Sequence, residues 1–249
     1  MENEILKELV LYNPVNNKIR LGRKEDGGYV LIDGYDYDCF ISVGIADEMS
    51  FEIDFAKYRP DVHSFALDVA INRPAELPAN IDFVKKLVGF EDNEKMTTLK
   101  EYTEGYNDIF IKVDIEGAEW RWIESFADYF KKVKQITFEA HAMFPHTLSD
   151  LLKRAHCQGL PLDAFRDHVL KALRILNETH YLVHVYENNR GPFINIGGTE
   201  YPSFSILTFI RKDCEVDGLN TKSLPIDGID FPCYSSYPNH NMNVWPFVA

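Results

Sequence analysis

The chain has no apolar run approaching the ~18 residues of a membrane-spanning helix, so nothing in it reads as a transmembrane segment. Its N-terminus, MENEILKELV, lacks the basic flank and apolar centre of a signal peptide. Cysteine is scarce and scattered. Cys39, Cys157, Cys214 and Cys233 form no Cys-x-x-Cys pair, which argues against a zinc site or disulfide framework and for reduced thiols in a cytoplasmic protein. Positive charge is short as well: 26 Lys and Arg against 39 Asp and Glu leave a net charge of −13. Proteins that grip a phosphate backbone present basic faces, and the pairs Lys85/Lys86 and Lys131/Lys132 are isolated, so nucleic acid is not an expected partner. A small substrate bearing a phosphate or nucleotide stays compatible, because local fields need not follow net charge. The chain also has no G-x-G-x-x-G fingerprint, no internal repeat and no linker rich enough to split it.

What is present is ordinary globular material: 249 residues, 45% hydrophobic and 26% charged, enough for one large α/β domain. An amphipathic helix (3–11) precedes a polar hairpin whose turn signal is Gly27-Gly28, flanked by Ile19/Leu21 and Tyr29/Val30/Leu31. Apolar strands follow at 39–43, in HSFALD up to Asp68, and more weakly at 81–84. A helix carrying Phe51, Phe55 and Tyr58 on one face lies between the first two. Further strands are read at 109–113, in VKQITFEAHA ending near His141, at 180–188 and at 203–212. Between them helices are expected over 120–130, from Leu148 with Leu151, Leu152 and Ala155 at core spacing, and over the segment carrying Phe165, Val169, Leu173 and Leu176. The stretch between the last two strands reads as a long loop or hairpin insert. Alternating strands and helices specify a doubly wound, mostly parallel sheet of about seven strands with helices on both faces. The expected organisation is one domain: helix and hairpin (1–36), sheet core (37–212) and an irregular tail (213–249) lying over the surface as a substrate-lining coil.

The chemistry is expected at the carboxyl ends of these strands, where open α/β sheets bind ligands. IFIKVDIEGAEW (109–120) is an apolar strand that breaks off into Asp114, Glu116 and Glu119 around Gly117. The alternative for these carboxylates is capping of the following helix. The first strand–turn–helix, SVGIADEMSFE, offers Gly44 and then Ala46, with no second glycine and so no cradle for a pyrophosphate. Asp68 follows Gly44 by 24 positions, near the ~20-residue spacing of an acid that binds ribose hydroxyls. His141, after Glu139 at the end of the fifth strand, is a candidate general base, since histidine titrates near neutrality. His184 reads as a core or supporting group and His146 as a turn or cap residue. Asp114, Glu116, His141 and Asn188 could also gather round a divalent ion, though nothing in their spacing requires one. Most of the aromatics near this region (Tyr29, Tyr106, Trp120, Trp122, Phe144, Tyr186) read as core rather than as stacking surfaces.

Together SVGIADEMSFE, FALD and IFIKVDIEGAEW resemble the class I S-adenosylmethionine-dependent methyltransferases. The closest resemblance is to the FkbM-like branch, marked by K-x-D-x-E-G-A-E after the fourth strand. Lys112, Asp114, Glu116, Gly117, Ala118 and Glu119 match it position for position. The segment from Arg20 to Val30 and the HVYENN ending of the sixth strand are also similar to members acting on sugars. The likeness spans roughly residues 19–212, with two departures: Ser42 stands where the family has an acid, and the second glycine is missing. The resemblance implies a reversed final strand, S-adenosylmethionine as cofactor and a sugar hydroxyl as acceptor, in a nucleotide-linked or polysaccharide-precursor sugar. It places Gly44, Ala46, Glu48, Asp68, Asp92 and Asp114 at the cofactor. His141, Asp114 and Glu116 fall at the reacting centre, and Glu139, Asn188 and Asn189 at the substrate. A homo-oligomer and a required metal stay open. The rivals are a nicotinamide-dependent oxidoreductase, which lacks its fingerprint and its Tyr-x-x-x-Lys pair here, a metal-dependent glycosyltransferase using Asp36-x-Asp38, and a non-catalytic binding module.

Overall fold

A computed structural model describes residues 1–145 and 160–249. The helix expected from Leu148, with Leu151, Leu152 and Ala155, lies outside the described residues, as do His146 and Cys157. Seven strands form the central sheet: β1 (Cys39–Val43), β2 (His63–Leu67), β3 (Ile81–Val84), β4 (Ile109–Val113), β5 (Val133–Ala140), β6 (His180–Glu187) and β7 (Ser205–Arg211). Their order is β6-β7-β5-β4-β1-β2-β3. The five strands β1 to β5 pair in parallel, whereas β7 runs antiparallel to both β5 and β6. Buried on both faces, β1 and β4 are near-continuous apolar runs, as parallel strands between helical layers must be. The order reverses between β1 and β4, and that switch point is where open α/β sheets leave a crevice for ligands.

Helices α1 (Glu2–Glu8), α2 (Ser50–Tyr58), α3 (Glu119–Phe126) and α4 (Leu162–Thr179) accompany the sheet. Helix α4 buries Phe165, Val169, Ala172, Leu173 and Leu176, one apolar stripe at helical spacing. Two helices are shorter than their sequence patterns. The first stops at Glu8, and α3 gives way after Phe126 to a 3₁₀ segment, Ala127–Lys132, where Phe130 still reaches the core. The expected hairpin is Lys18–Leu21 paired with Tyr29–Ile32, held to the sheet by Ile32 N donating to Gln135 Oε1 and Thr208 Oγ1 donating to Val30 O. Between β6 and β7 the polar insert forms a second hairpin, Phe193–Ile196 with Thr199–Pro202.

The tail departs from a purely irregular coil. Val216–Leu219 pairs with Tyr12–Pro14, which gives that short strand a partner for its backbone groups, and Leu224, Cys233, Met242 and Phe247 are buried. Cys39, Cys214 and Cys233 are free and buried. No described helix is long and apolar enough to cross a membrane.

Candidate functional site

The loop after β1 and the loop after β4 touch backbone to backbone at the switch point. Asp114 N donates to Val43 O at 3.0 Å, and a Cβ placed on Gly44 would lie 1.7 Å from Asp114 O. With φ at +70° as well, position 44 accepts only glycine. Ala46 sits at φ +44°, Glu116 at +58° and Ala142 at +52°. Three non-glycine residues in the left-handed region thus follow β1, β4 and β5, the pattern of backbone strain held where ligands bind. Ala46 thus takes a backbone conformation that glycine adopts more readily, and the turn strains the residue.

Ser42 does not leave its strand without an acid. Ser42 Oγ donates to Glu52 Oε1, a fully buried carboxylate brought in by α2. Lys112 Nζ lies 3.6 Å from that carboxylate, 3.2 Å from Gly44 O and 5.0 Å from the Tyr29 ring centre. A buried ammonium needs such partners, and here it ties β1, β4 and α2 together.

On the β2 side, Asp68 is buried and its oxygens accept from Ala46 N (2.9 Å) and Ala70 N (2.7 Å), so it links the β1 and β2 loops. A cavity of about 560 Å³ opens beside them, lined by Ala46, Glu48, Met49, Ile53, Ile71 and Asn72 among others. Glu48 is held by Arg23 and accepts from Ser50 N. Asp92 is further off and lines neither this cavity nor the next. Burial works against its ionisation, but the Thr98 amide and hydroxyl (2.7 Å each) outweigh that and hold its pKa down. Its carboxylate is spent on closing its own loop.

The second cavity, about 450 Å³, lies at the ends of β4, β5 and β6 and brings together Asp114, Glu116, Glu139, His141 and Asn188. Asp114 Oδ2 accepts from Tyr29 OH at 3.0 Å, and Glu139 Oε1 accepts from Asn188 Nδ2 at 2.6 Å. Glu119, fully buried at the start of α3, accepts from His141 N (2.7 Å), His141 Nδ1 (3.2 Å) and Gly117 N (2.8 Å). The other ring nitrogen of His141, Nε2, faces Glu116, Asp114 and Glu139 at 3.7, 3.8 and 3.8 Å. Burial alone would drive the imidazole to its neutral form, but Glu139, Glu119 and Asp114 prevail and push its pKa up to about 10. The expectation of a histidine titrating near neutrality is thus corrected: four carboxylates surround one ring. Burial raises Glu139 above the ordinary carboxylate range, against the pull of His141.

Asn189 is the residue that the cavity does not use. Its amide donates to Tyr234 O (2.9 Å) and Tyr237 O (3.0 Å), and its oxygen accepts from Tyr234 N, fastening the tail. His240 does the same from the other side, its backbone and ring held by Glu187. This anchoring brings Tyr234 to the cavity rim beside Asp26, Arg190 and Phe204, residues that sequence reading did not select. Tyr234 OH donates to Asp26 Oδ2, and Arg190 lies over the Tyr234 ring. No local pattern marks these four, since a turn, a loop and a tail meet only in three dimensions. The Asp36-x-Asp38 pair is placed elsewhere: Asp38 accepts from Asn107 N and Asp108 N, tying the loop before β4 to the start of β1. His184 is fully buried 3.0 Å from Asp230, and Trp120, Trp122 and Phe144 are core.

Fold and site together define a doubly wound α/β protein with two cavities beyond the ends of its parallel strands, one mixed beside the β1 and β2 loops and one strongly acidic at the ends of β4, β5 and β6. No protein-family model matches the chain and no curated protein matches it. Among solved structures the chain is similar to one from a fibrillarin/Nop5p complex, at TM-score 0.39 and 12% identity over 70% of this chain and 72% of that one. It is also similar to the aminoglycoside resistance methyltransferase NpmB1, at 0.38 and 16% over 78% and 100%. A third is M. capricolum TrmK, in complex with S-adenosylhomocysteine, at 0.35 and 10% over 70% and 62%. At these scores the likeness carries no argument about activity.

Proposed function

We propose that the protein is an S-adenosylmethionine-dependent O-methyltransferase of the FkbM-like type, acting on a hydroxyl of a nucleotide-linked or polysaccharide-precursor sugar. The observation that carries the reading is a cavity on each side of the Gly44–Asp114 contact, with Asp114 and Glu116 of the K-x-D-x-E-G-A-E segment lining the acidic one. The β1–β2 cavity has the volume and mixed lining of a nucleoside-sized site. There Ala46 and Glu48 would line the cofactor's bed and Asp68 would hold ribose hydroxyls, since an ionised carboxylate oxygen accepts more than one hydrogen bond. When bound, S-adenosylmethionine supplies a methyl group already activated by its sulfonium.

The remaining work is positioning and proton removal. Asp114, Glu139 and Asn188 offer acceptors and an amide to a ring of hydroxyl groups, which both donate and accept. One carboxylate of this wall takes the hydroxyl proton as the oxygen attacks, a contribution of roughly 10²–10⁴. His141, whose proton the carboxylates retain, contributes positive charge rather than the base. The first test is calorimetry with S-adenosylmethionine, S-adenosylhomocysteine and NADH. Micromolar binding of the two sulfur compounds is expected, and binding of NADH in their place refutes the reading. A screen of nucleotide sugars for methylated product by mass spectrometry then tests the acceptor.

A further inference from the structure

The acidic cavity holds a set of atoms that methyl transfer by itself does not call for. Asp114, Glu139 and His141 each bring one ligand atom to a common point, all within 4.8 Å of one another. The imidazole is more than nine-tenths buried, and Nδ1 is committed to Glu119. A carboxylate only accepts, so Nδ1 carries the hydrogen. No hydrogen bond reaches Nε2 among the described residues. It points into the cavity at carboxylate oxygens 3.7 to 3.8 Å away, too far for hydrogen bonds. Neighbouring ligands around an ion held at 2.0–2.2 Å stand about 3 Å apart, so the two 3.8 Å pairs would close by under an ångström and the widest pair, at no more than 4.8 Å, by no more than about 2 Å.

The surrounding contacts fix the same three atoms. Glu119 orients the ring, Tyr29 OH takes Asp114 Oδ2 and so leaves Oδ1 turned to the histidine, and Asn188 holds Glu139. Metal-binding histidines and carboxylates characteristically carry an outer layer of this kind. Charge points the same way. Around His141 stand Asp114, Glu116, Glu119 and Glu139, whereas Arg190 at the rim is the one Lys or Arg among the described lining residues.

We infer that Asp114 Oδ1, Glu139 Oε1 and His141 Nε2, whose proton the incoming ion displaces, form a three-point site for a divalent cation of the Mn²⁺ or Mg²⁺ kind, with its remaining positions open to the cavity. Two carboxylates and water suit either ion, and the imidazole nitrogen tips the preference to Mn²⁺. The chemical role of the ion rests on the methyltransferase reading: it would hold the acceptor's oxygens and make the hydroxyl proton easier to lose. Its binding does not.

The test uses the intact chain stripped with a chelator, titrated with MnCl₂ in a calorimeter with no cofactor or acceptor present, alongside a thermal melt with and without the ion. One site of sub-millimolar affinity and a rise in Tm are expected, with Mg²⁺ competing more weakly. Asp114→Asn, isosteric and partly exposed, should weaken Mn²⁺ at least 10-fold, and Tyr29→Phe, which removes only the orienting hydroxyl, roughly 10-fold. Absence of binding, or unchanged affinity in both variants, overturns the site. A parallel titration with S-adenosylhomocysteine separates the two proposals. Mn²⁺ binding without it keeps the cation site and removes methyl transfer, and the reverse result removes the cation site alone.

Discussion

Glu119→Gln is the most demanding perturbation of the acidic cavity, because it leaves shape almost unchanged and alters only which atoms can accept. The native carboxylate takes three N–H donors, two from His141 and one from Gly117, in a fully buried position. Glutamine has one acceptor oxygen. Turned toward His141, it sets its NH₂ against the Gly117 amide and leaves that donor unpaired; turned the other way, it orphans two donors. The first orientation costs less. It loses one charge-assisted bond and reduces two others to neutral ones, with hydrogen bonds to charged groups worth about 1.5–3 kcal/mol and ordinary ones about 1 kcal/mol. Relief from burying a charge offsets part of this, so a net loss of about 3 kcal/mol is expected. For a chain of this size that is a fall in Tm of roughly 6–12 °C. Urea denaturation of wild type and variant at pH 7 reads the difference directly. A loss under ~1 kcal/mol would mean that Glu119 is not the carboxylate fixing His141, and the account of the site's orientation would fall with it.

Three further outcomes are expected. Asp68→Ala should weaken S-adenosylhomocysteine by about 10- to 100-fold in calorimetry, the equivalent of one charge-assisted hydrogen bond, and unchanged affinity would remove Asp68 from the cofactor's bed. Ala46→Gly should stabilise the fold by up to about 1 kcal/mol in urea by relieving the positive φ, whereas Ala46→Val should destabilise it; equal stabilities would refute the strain. His180 is buried with Nε2 donating to Val133 O, and burial pushes its pKa down to about 4. The unfolded chain therefore binds the proton first. Stability is fully present above about pH 6.5 and drains away toward pH 4, by about 2 kcal/mol between pH 7 and 5, and His180→Gln should flatten that slope in urea titrations at the two pH values.

The sheet was readable because its signal is local and repeated. Runs such as CFISV and IFIKV are apolar but for one residue each, Ser42 and Lys112, and each ends at a glycine or an acid. The strand-end set Asp114, Glu116, Glu139, His141 and Asn188 was readable for the same reason, since the last residues of parallel strands converge at one edge of the sheet. What resisted reading depends on partners far apart in sequence. Nothing near Asn189 says that its amide is taken by Tyr234 and Tyr237, and nothing near Asp26 says that it meets the tail. The raised pKa of His141 is hidden for a related reason: residue type suggests a neutral-pH titration, and only the carboxylates gathered around the ring push it up. Ser42 is the opposite lesson, a hydroxyl in a strand that meets its acid, Glu52, only through the following helix.

Strand β7 has a second consequence beyond completing the sheet. Asn188 and Glu139, joined at 2.6 Å, end strands that never touch; Ser205 of β7 stands between them, facing Ala140 on one side and Glu187 on the other. Until residues 205–211 slot into place, β6 has no neighbour in the sheet and the far wall of the acidic cavity has nothing to stand on. The last strand of the central sheet to be synthesised is therefore also the keystone, and the cavity can take shape only when the fold closes around it.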